Sequence, residues 1–496
     1  MTMADQFYIV LPLVVYIAAT LGIALWARRS SRAAASGRHG FFEEYFIGGR
    51  SMGGFVLAMT IVASYTSASS FVGGPGVAYS LGLSWVLLAM IQVPTTFLTL
   101  GVLGKRFAVV ARRIGAVGVT DLIRARYRNE PLVLLTSLAL VVFFMAAMLA
   151  QFIGGARLFQ AVTGYPYIVG LGIFGFTVII YTSVGGFRAV ALTDAIQGVV
   201  MLIASVVVLV AVLQAGGGVE RCIQALADID PGLLTPTGPD NKVPQPMILS
   251  FWILVGLGIL GLPQTVQKSI GFRDSRAMHR AMVIGTFIIG FLLLAMHLSA
   301  VLGRAVLPDL PSGDLAMPTL TVRLLPPVLA GVFIAGPLAA IMSTVDSMLL
   351  LACATLVKDI YVHYRLKGDV AAISEARIKR FSVITTAMIG VIVFVCAIHP
   401  PDLLVWINLF AFGGLEAAFL WPIVLGLYWR RANGTGALWS VVAGLACFFA
   451  ISVLKPPMWS IHAIVPTLLV SFAAFVAGSC LGKPSDPEIL RAFCED

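Results

Sequence analysis

Ala63-Ser64-Tyr65-Thr66-Ser67-Ala68-Ser69-Ser70-Phe71-Val72-Gly73-Gly74-Pro75-Gly76 is the stretch on which the fold turns. It lies within an apolar run long enough to cross a bilayer. Yet Ser64, Thr66, Ser67, Ser69 and Ser70 crowd hydroxyls into it, and Gly73, Gly74, Pro75 and Gly76 follow. Close helix packing alone would favour Ala and Gly over so many hydroxyls. A helix broken here frees carbonyl oxygens, and a hard cation needs several oxygens. The stretch predicts a discontinuous membrane-spanning helix that lines a pathway.

The rest of the chain places that helix in a membrane. Only 11% of the 496 residues are charged and 59% are apolar. Mean hydropathy is +0.97. A soluble chain is about half apolar and about a quarter charged. Apolar runs recur from end to end, each matched to a hydrocarbon core of about 30 Å. Backbone groups in lipid must be satisfied within their own segment, so the runs are predicted to be helices. Roughly thirteen spans are expected, at 7–27, 53–79, 83–104, 132–158, 165–184, 190–213, 247–270, 280–303, 326–355, 381–399, 403–428, 434–454 and 461–481. They are numbered spans 1 to 13 below. Span 1 lacks the basic leader and short apolar core of a signal peptide, so it is expected to be retained.

Basic charge alternates between loops. Arg28, Arg29, Arg32, Arg38 and Arg50 lie between spans 1 and 2. Lys105, Arg106, Arg112, Arg113, Arg124, Arg126 and Arg128 lie between spans 3 and 4. Lys268, Arg273, Arg276 and Arg280 are assigned to loop 7–8, and Lys358, Arg365, Lys367, Arg377, Lys379 and Arg380 to loop 9–10. The other loops hold few, chiefly Arg221, Lys242, Arg304, Arg323 and Lys455. The net charge of +10 thus follows the positive-inside rule rather than marking a nucleic-acid binder. It puts the N-terminus outside and the C-terminus in the cytoplasm of a bacterial inner membrane. One transmembrane domain is expected over 1–484, with a short cytoplasmic tail at 485–496. The loop 215–246, rich in Gly and Pro, is expected to be half-ordered.

Span 7 is interrupted too, by Gly256, Gly258, Gly261 and Pro263, with Gln264 next. Two broken spans, five apart, suggest two inverted five-helix repeats, spans 2–6 (about 51–214) and 7–11 (about 247–428). Spans 1, 12 and 13 would be peripheral. In span 9, Ser343, Thr344 and Ser347 share a face, and Asp346 beside them needs a cation, a proton or an arginine. Asp194 near the start of span 6 is a shallower acid that is equally consistent with a helix start capped by Thr193. Six cysteines show no CxxC spacing, so neither a disulfide framework nor a metal cluster is expected. No HExxH pattern, Cys/His cluster or nucleophile motif suggests an enzyme, and the short C-terminus argues against an attached signalling module.

These residues resemble the sodium:solute symporter family. Glu43-Glu44-Tyr45-Phe46-Ile47-Gly48-Gly49-Arg50 is similar to its loop signature, and Tyr181-Thr182-Ser183-Val184-Gly185-Gly186-Phe187-Arg188 through Asp194 to its span 5–6 segment. Phe71 to Gly76, Trp85 to Gln92, Gln151 to Arg157 and Leu409 to Ala417 resemble the branch that carries pantothenate. The resemblance implies an all-α fold like the leucine transporter and symport of a small anion with sodium. The alternative is another organic anion or an amino acid such as proline. The family's main sodium site falls on Ala63 and Thr66 of span 2 and on Ala340, Ser343 and Thr344 of span 9. A second cation site found in some members maps to Asp194, Asp346 and Ser347, where Asp346 replaces a hydroxyl. For the cargo, Tyr65, Ser67, Ser69, Ser70, Phe71, Gln92, Gln151, Trp252, Gln264 and Asn408 are the candidates. Sodium is the expected co-transported ion. No cofactor, nucleic acid or obligatory protein partner is expected.

Overall fold

The computed structural model describes residues 3–34, 52–367, 374–400 and 404–494. The signature at 43–50, with Arg38, lies outside the described residues. Among those described the secondary structure is helical, with one isolated bridge pairing Met52 and Phe272.

Ten helices are long and apolar enough to cross a membrane, and two bent pairs raise that number to as many as twelve. The bent pairs are the two interrupted spans. Span 2 is Gly54–Tyr65 followed by Ser69–Leu81, bent by 69°; span 7 is Gln245–Gly261 followed by Pro263–Ile270, bent by 42°. Thr66, with φ −88° and ψ 139°, ends the first half of span 2 in extended backbone. Leu262 does the same in span 7 with φ −73° and ψ 114°. Pro263 then starts the second half, where a missing N–H costs nothing.

Helical structure is continuous over Tyr167–Ala215, 49 residues. A straight helix of that length would run about 74 Å, more than twice a hydrocarbon core. Its apolar parts are separate, Tyr167–Ser183 and Ala189–Ala215. Tyr181 in the first and Gln197 in the second both converge on Met342, the latter through Tyr16. They correspond to the predicted spans 5 and 6.

Span 9 sits at the centre. It runs Pro327–Arg365 with 83% of its apolar stretch buried, against 28% for span 1 and for span 12, Gly434–Leu454. Helix ends carry their own caps. Asn129 accepts the Leu132 amide at the start of span 4, and Asp274 accepts the Ala277 amide at the start of span 8.

Loop 215–246 departs from expectation. Val219–Ile229 is a helix, and Cys222, Leu226 and Leu233 are buried. Its glycines act as helix punctuation: Gly217 and Gly218, at φ +73° and +99°, turn the chain between two helices. The tail helix Pro487–Cys494 tucks Ile489 and Phe493 inward. Arg126, counted among loop charges, is fully buried and donates to the carbonyls of Gly426 and Trp429.

Candidate cation and cargo site

The break at Thr66–Ser67 redirects four amides. The Ser67 N–H goes to Ser70 Oγ, that of Ala68 to Gln151 Oε1, that of Ser69 to Ser67 Oγ, and that of Ser70 to the Ser67 carbonyl. The carbonyls of Ala63 and Thr66 therefore lose their helical partners. Span 9 meets them. Ser343 Oγ lies 2.9 Å from the Ala63 carbonyl oxygen and 3.0 Å from that of Ala340. Thr344 Oγ1 is 2.8 Å from the carbonyl oxygens of both Thr66 and Ala340. All five residues are buried. Five oxygens thus converge with no carboxylate among them, a set suited to a monovalent hard cation.

Beside this cluster lies a cavity of about 70 Å³, bounded by Tyr65, Ser67, Ser69, Ser70, Gln92 and Asn408 on its polar side. Trp85, Phe251 and Phe412 form the apolar side, with His297 at the edge. Trp85 and Phe251 meet edge to face at 5.5 Å. Tyr65 is held by Thr99, hydroxyl to hydroxyl at 2.7 Å. No lysine or arginine lines this cavity among the described residues.

Four cargo candidates lie elsewhere. Phe71 is buried against Gly336, behind the broken segment. Gln151 is a strut: it accepts the Ala68 amide at 2.8 Å and donates to Asn408 Oδ1 at 3.4 Å. Trp252 is half exposed and faces away from the protein interior. Gln264 borders a second, smaller cavity of about 10 Å³ with Gln267, Lys268 and Ser347, room for about one water. Trp85 and Phe251 were not among the candidates. Both sit on apolar stretches whose facing direction only packing sets.

The acids fall one turn from the five-oxygen cluster, on the side of the second cavity. Asp346 accepts the Tyr181 hydroxyl at 2.6 Å and lies 3.2 Å from Ser347 Oγ. Asp194 is no helix-start acid. It lies within a continuous helix, and Thr193 instead bonds back to the carbonyls of Ala189 and Val190. Asp194 is ion-paired with Lys268, Nζ to Oδ2 at 2.7 Å, and accepts the Thr60 hydroxyl. Lys268, assigned by sequence to a cytoplasmic loop, is 1% exposed. It ends the second half of broken span 7 and is drawn inward by the carboxylate.

The face beyond is clasped by charge. Lys358 pairs with Asp121, and Arg124 with Asp359 at 3.4 Å. Burial alone would raise Asp121. The Lys358 ammonium and the amides of Val117 and Gly118 outweigh it and hold its carboxyl below the usual range. The Met52 amide joins this face to the Gly271 carbonyl at 3.0 Å.

The chain is similar to known proteins. The model of the Sodium:solute symporter family matches residues 45–444. A sodium/pantothenate symporter of Escherichia coli (strain K12) is 49% identical over 477 residues, covering 96% of this chain and 97% of that protein. One of Haemophilus influenzae is 47% identical over 475 residues, 96% of each. Among solved structures, a sodium-coupled sialic acid symporter in a substrate-bound outward-open state superposes with a TM-score of 0.82 at 18% identity, covering 97% of this chain and 98% of that one. The last likeness bears on the fold, which is that of the leucine-transporter class.

Proposed function

From the premise that this chain belongs to the sodium:solute symporter family, we propose that it takes up pantothenate by symport with sodium. The observation that carries the coupling is the convergence of the Ala63, Thr66 and Ala340 carbonyls with the Ser343 and Thr344 hydroxyls. Sodium bound there would tie broken span 2 to central span 9. It would favour one arrangement of the two and so make the neighbouring cavity competent for cargo. Pantothenate has a carboxylate, an amide, hydroxyls and a branched apolar end. The serine hydroxyls, Gln92 and Asn408 offer hydrogen bonds, and Trp85, Phe251 and Phe412 an apolar wall. With no basic side chain on the cavity, sodium and the positive end of the half-helix dipole at the break supply the positive potential for the carboxylate.

The cargo assignment draws support from the pantothenate symporters it resembles over nearly its whole length. The loop charges support an N-terminus outside and a C-terminus in the cytoplasm of a bacterial inner membrane. On that orientation the larger cavity lies on the outer side and the charged clasp on the cytoplasmic side. Transport would proceed by the inverted repeats, spans 2–6 and 7–11, rocking against each other around the fixed site. The protein acts as a carrier and makes or breaks no covalent bond.

The test is uptake of labelled pantothenate into proteoliposomes under an inward sodium gradient. Accumulation that collapses when the gradient is abolished is the expected result. Accumulation of proline but not pantothenate under the same gradient would overturn the cargo and leave the family intact.

A further inference from the structure

One turn along span 9 from Ser343 stands Asp346, and beside Thr60, one turn along span 2 from Ala63, stands Asp194 of span 6. Asp194 and Asp346 are both 0% exposed. Buried acids at this depth call for positive charge, and the five-oxygen cluster next door is already suited to a sodium ion. A second sodium would be the obvious companion. The structure shows something else in that place. Lys268 Nζ lies 2.7 Å from Asp194 Oδ2 and 3.0 Å from the Thr60 carbonyl oxygen. The ammonium thus has a carboxylate and a carbonyl as ligands, the kind of oxygens a sodium ion would take. Thr60 adds its hydroxyl to the same carboxylate. Asp346 accepts a hydrogen bond from Tyr181 at 2.6 Å. The lysine side chain is 2% exposed and the Asp194 side chain 0%, so bulk water does not share the pair.

We propose that the Lys268 ammonium is a tethered cation that fills the second cation position, so that one sodium, not two, is carried per cycle. The attachment is specific. Lys268 stands on the short half-helix Pro263–Ile270 of broken span 7, and its partners stand on spans 2 and 6. The charge that a free ion would bring to those three elements is covalently fixed to one of them. It neutralises Asp194 in every cycle without using the sodium gradient. With a monoanionic cargo, as the proposed function supplies, one sodium makes transport electroneutral. Two sodium ions would carry net positive charge inward.

The stoichiometry can be read without cargo. Isotopic sodium binding to the purified full chain is expected to saturate at one ion per chain. In Lys268→Met, which keeps most of the length of the side chain and removes the charge, a second ion is expected. Its sodium dependence should steepen from a Hill coefficient near one towards two, and a negative-inside potential should begin to accelerate uptake. Two sodium ions per wild-type chain, or a folded Lys268→Met that still binds only one, would overturn the inference. If the variant fails to fold, the wild-type count decides alone. Binding of one sodium without any pantothenate uptake would remove the cargo assignment and leave the tethered cation standing.

Discussion

Ser343 and Thr344 each offer one hydroxyl oxygen to a group of five, and each is locked by two carbonyls within 3.0 Å. Removing one oxygen from a desolvated cation costs about 1–3 kcal/mol, the penalty of a lost partner at a buried polar group. At about 1.4 kcal/mol per tenfold, Ser343→Ala or Thr344→Ala should raise the sodium concentration for half-maximal uptake several-fold or more. The maximal rate at saturating sodium should fall less. Sodium titrations of uptake that coincide for both variants and the parent would remove these residues from the site. Ser347, one turn away on the same face, bonds back within its own helix to the Ser343 carbonyl at 2.8 Å, whereas Ser343 and Thr344 also reach across to the Ala63 and Thr66 carbonyls of span 2.

At the scale of elements, the broken spans need room as well as breaks. Glu416 of span 11 is buried with both carboxylate oxygens lacking a hydrogen-bond partner among the described residues, and it packs against Gly258 beside the break in span 7. A methyl at 258 would collide with that carboxylate. Gly258→Ala is expected to cost about 1–3 kcal/mol by overpacking and to slow transport by stiffening the broken helix. Among the described residues nothing lies within 4 Å of a methyl added at Gly22 of span 1, so Gly22→Ala should be neutral or stabilise by up to about 1 kcal/mol through helix propensity. Equal melting temperatures for the two variants would count against a tight fit at 258. The clasp formed by the helix Val119–Tyr127 and the end of span 9 rests on Asp121 and Lys358. The folded-state carboxyl of Asp121 is depressed, so its contribution is present above the ordinary value of 3.8 and is lost as pH falls through the depressed one. Asp121→Asn should therefore lower the melting temperature at pH 7 and differ less from the parent as pH drops below about 4. A constant difference from neutral to acid pH would show that charge is not what Asp121 contributes.

For the whole molecule, the two cavities differ in size, about 70 Å³ against about 10 Å³. The larger is bordered by the hydroxyl-rich segment and the smaller by Lys268 and Ser347. A carrier with one site must expose that site to one side at a time, and cations and cargo shift the balance between the two exposures. Ser70→Cys, on the wall of the larger cavity, should react with a membrane-impermeant thiol reagent added outside. Sodium together with cargo should slow the reaction. In intact cells, reaction only after permeabilisation would reverse the orientation proposed here. An unchanged rate with both ligands present would separate Ser70 from the cargo path.

Lipid leaves a backbone few options, so every apolar run had to be a helix. That is why the spans, including the short Tyr167–Ser183, could be read from composition and length alone. The breaks were legible for the same reason: Gly, Pro and hydroxyls inside an apolar run have few other uses. Span 7 bends between Gly261 and Pro263 and span 2 among its hydroxyls at Thr66, whereas Gly73 to Gly76 beyond that bend are helical. Local chemistry also marked Ser343 and Thr344. Contacts between distant segments were not legible. Lys268 lay inside the predicted limits of span 7 yet was counted as a loop charge, because its partner Asp194 is 74 residues away. Trp252 and Trp85 look alike in sequence, an aromatic ring in an apolar helix. Only the packing of neighbouring helices turns Trp85 to the cavity and leaves Trp252 half exposed. Helix formation is a property of each segment in lipid, whereas the side a residue faces and the charge it meets depend on which segments pack beside it.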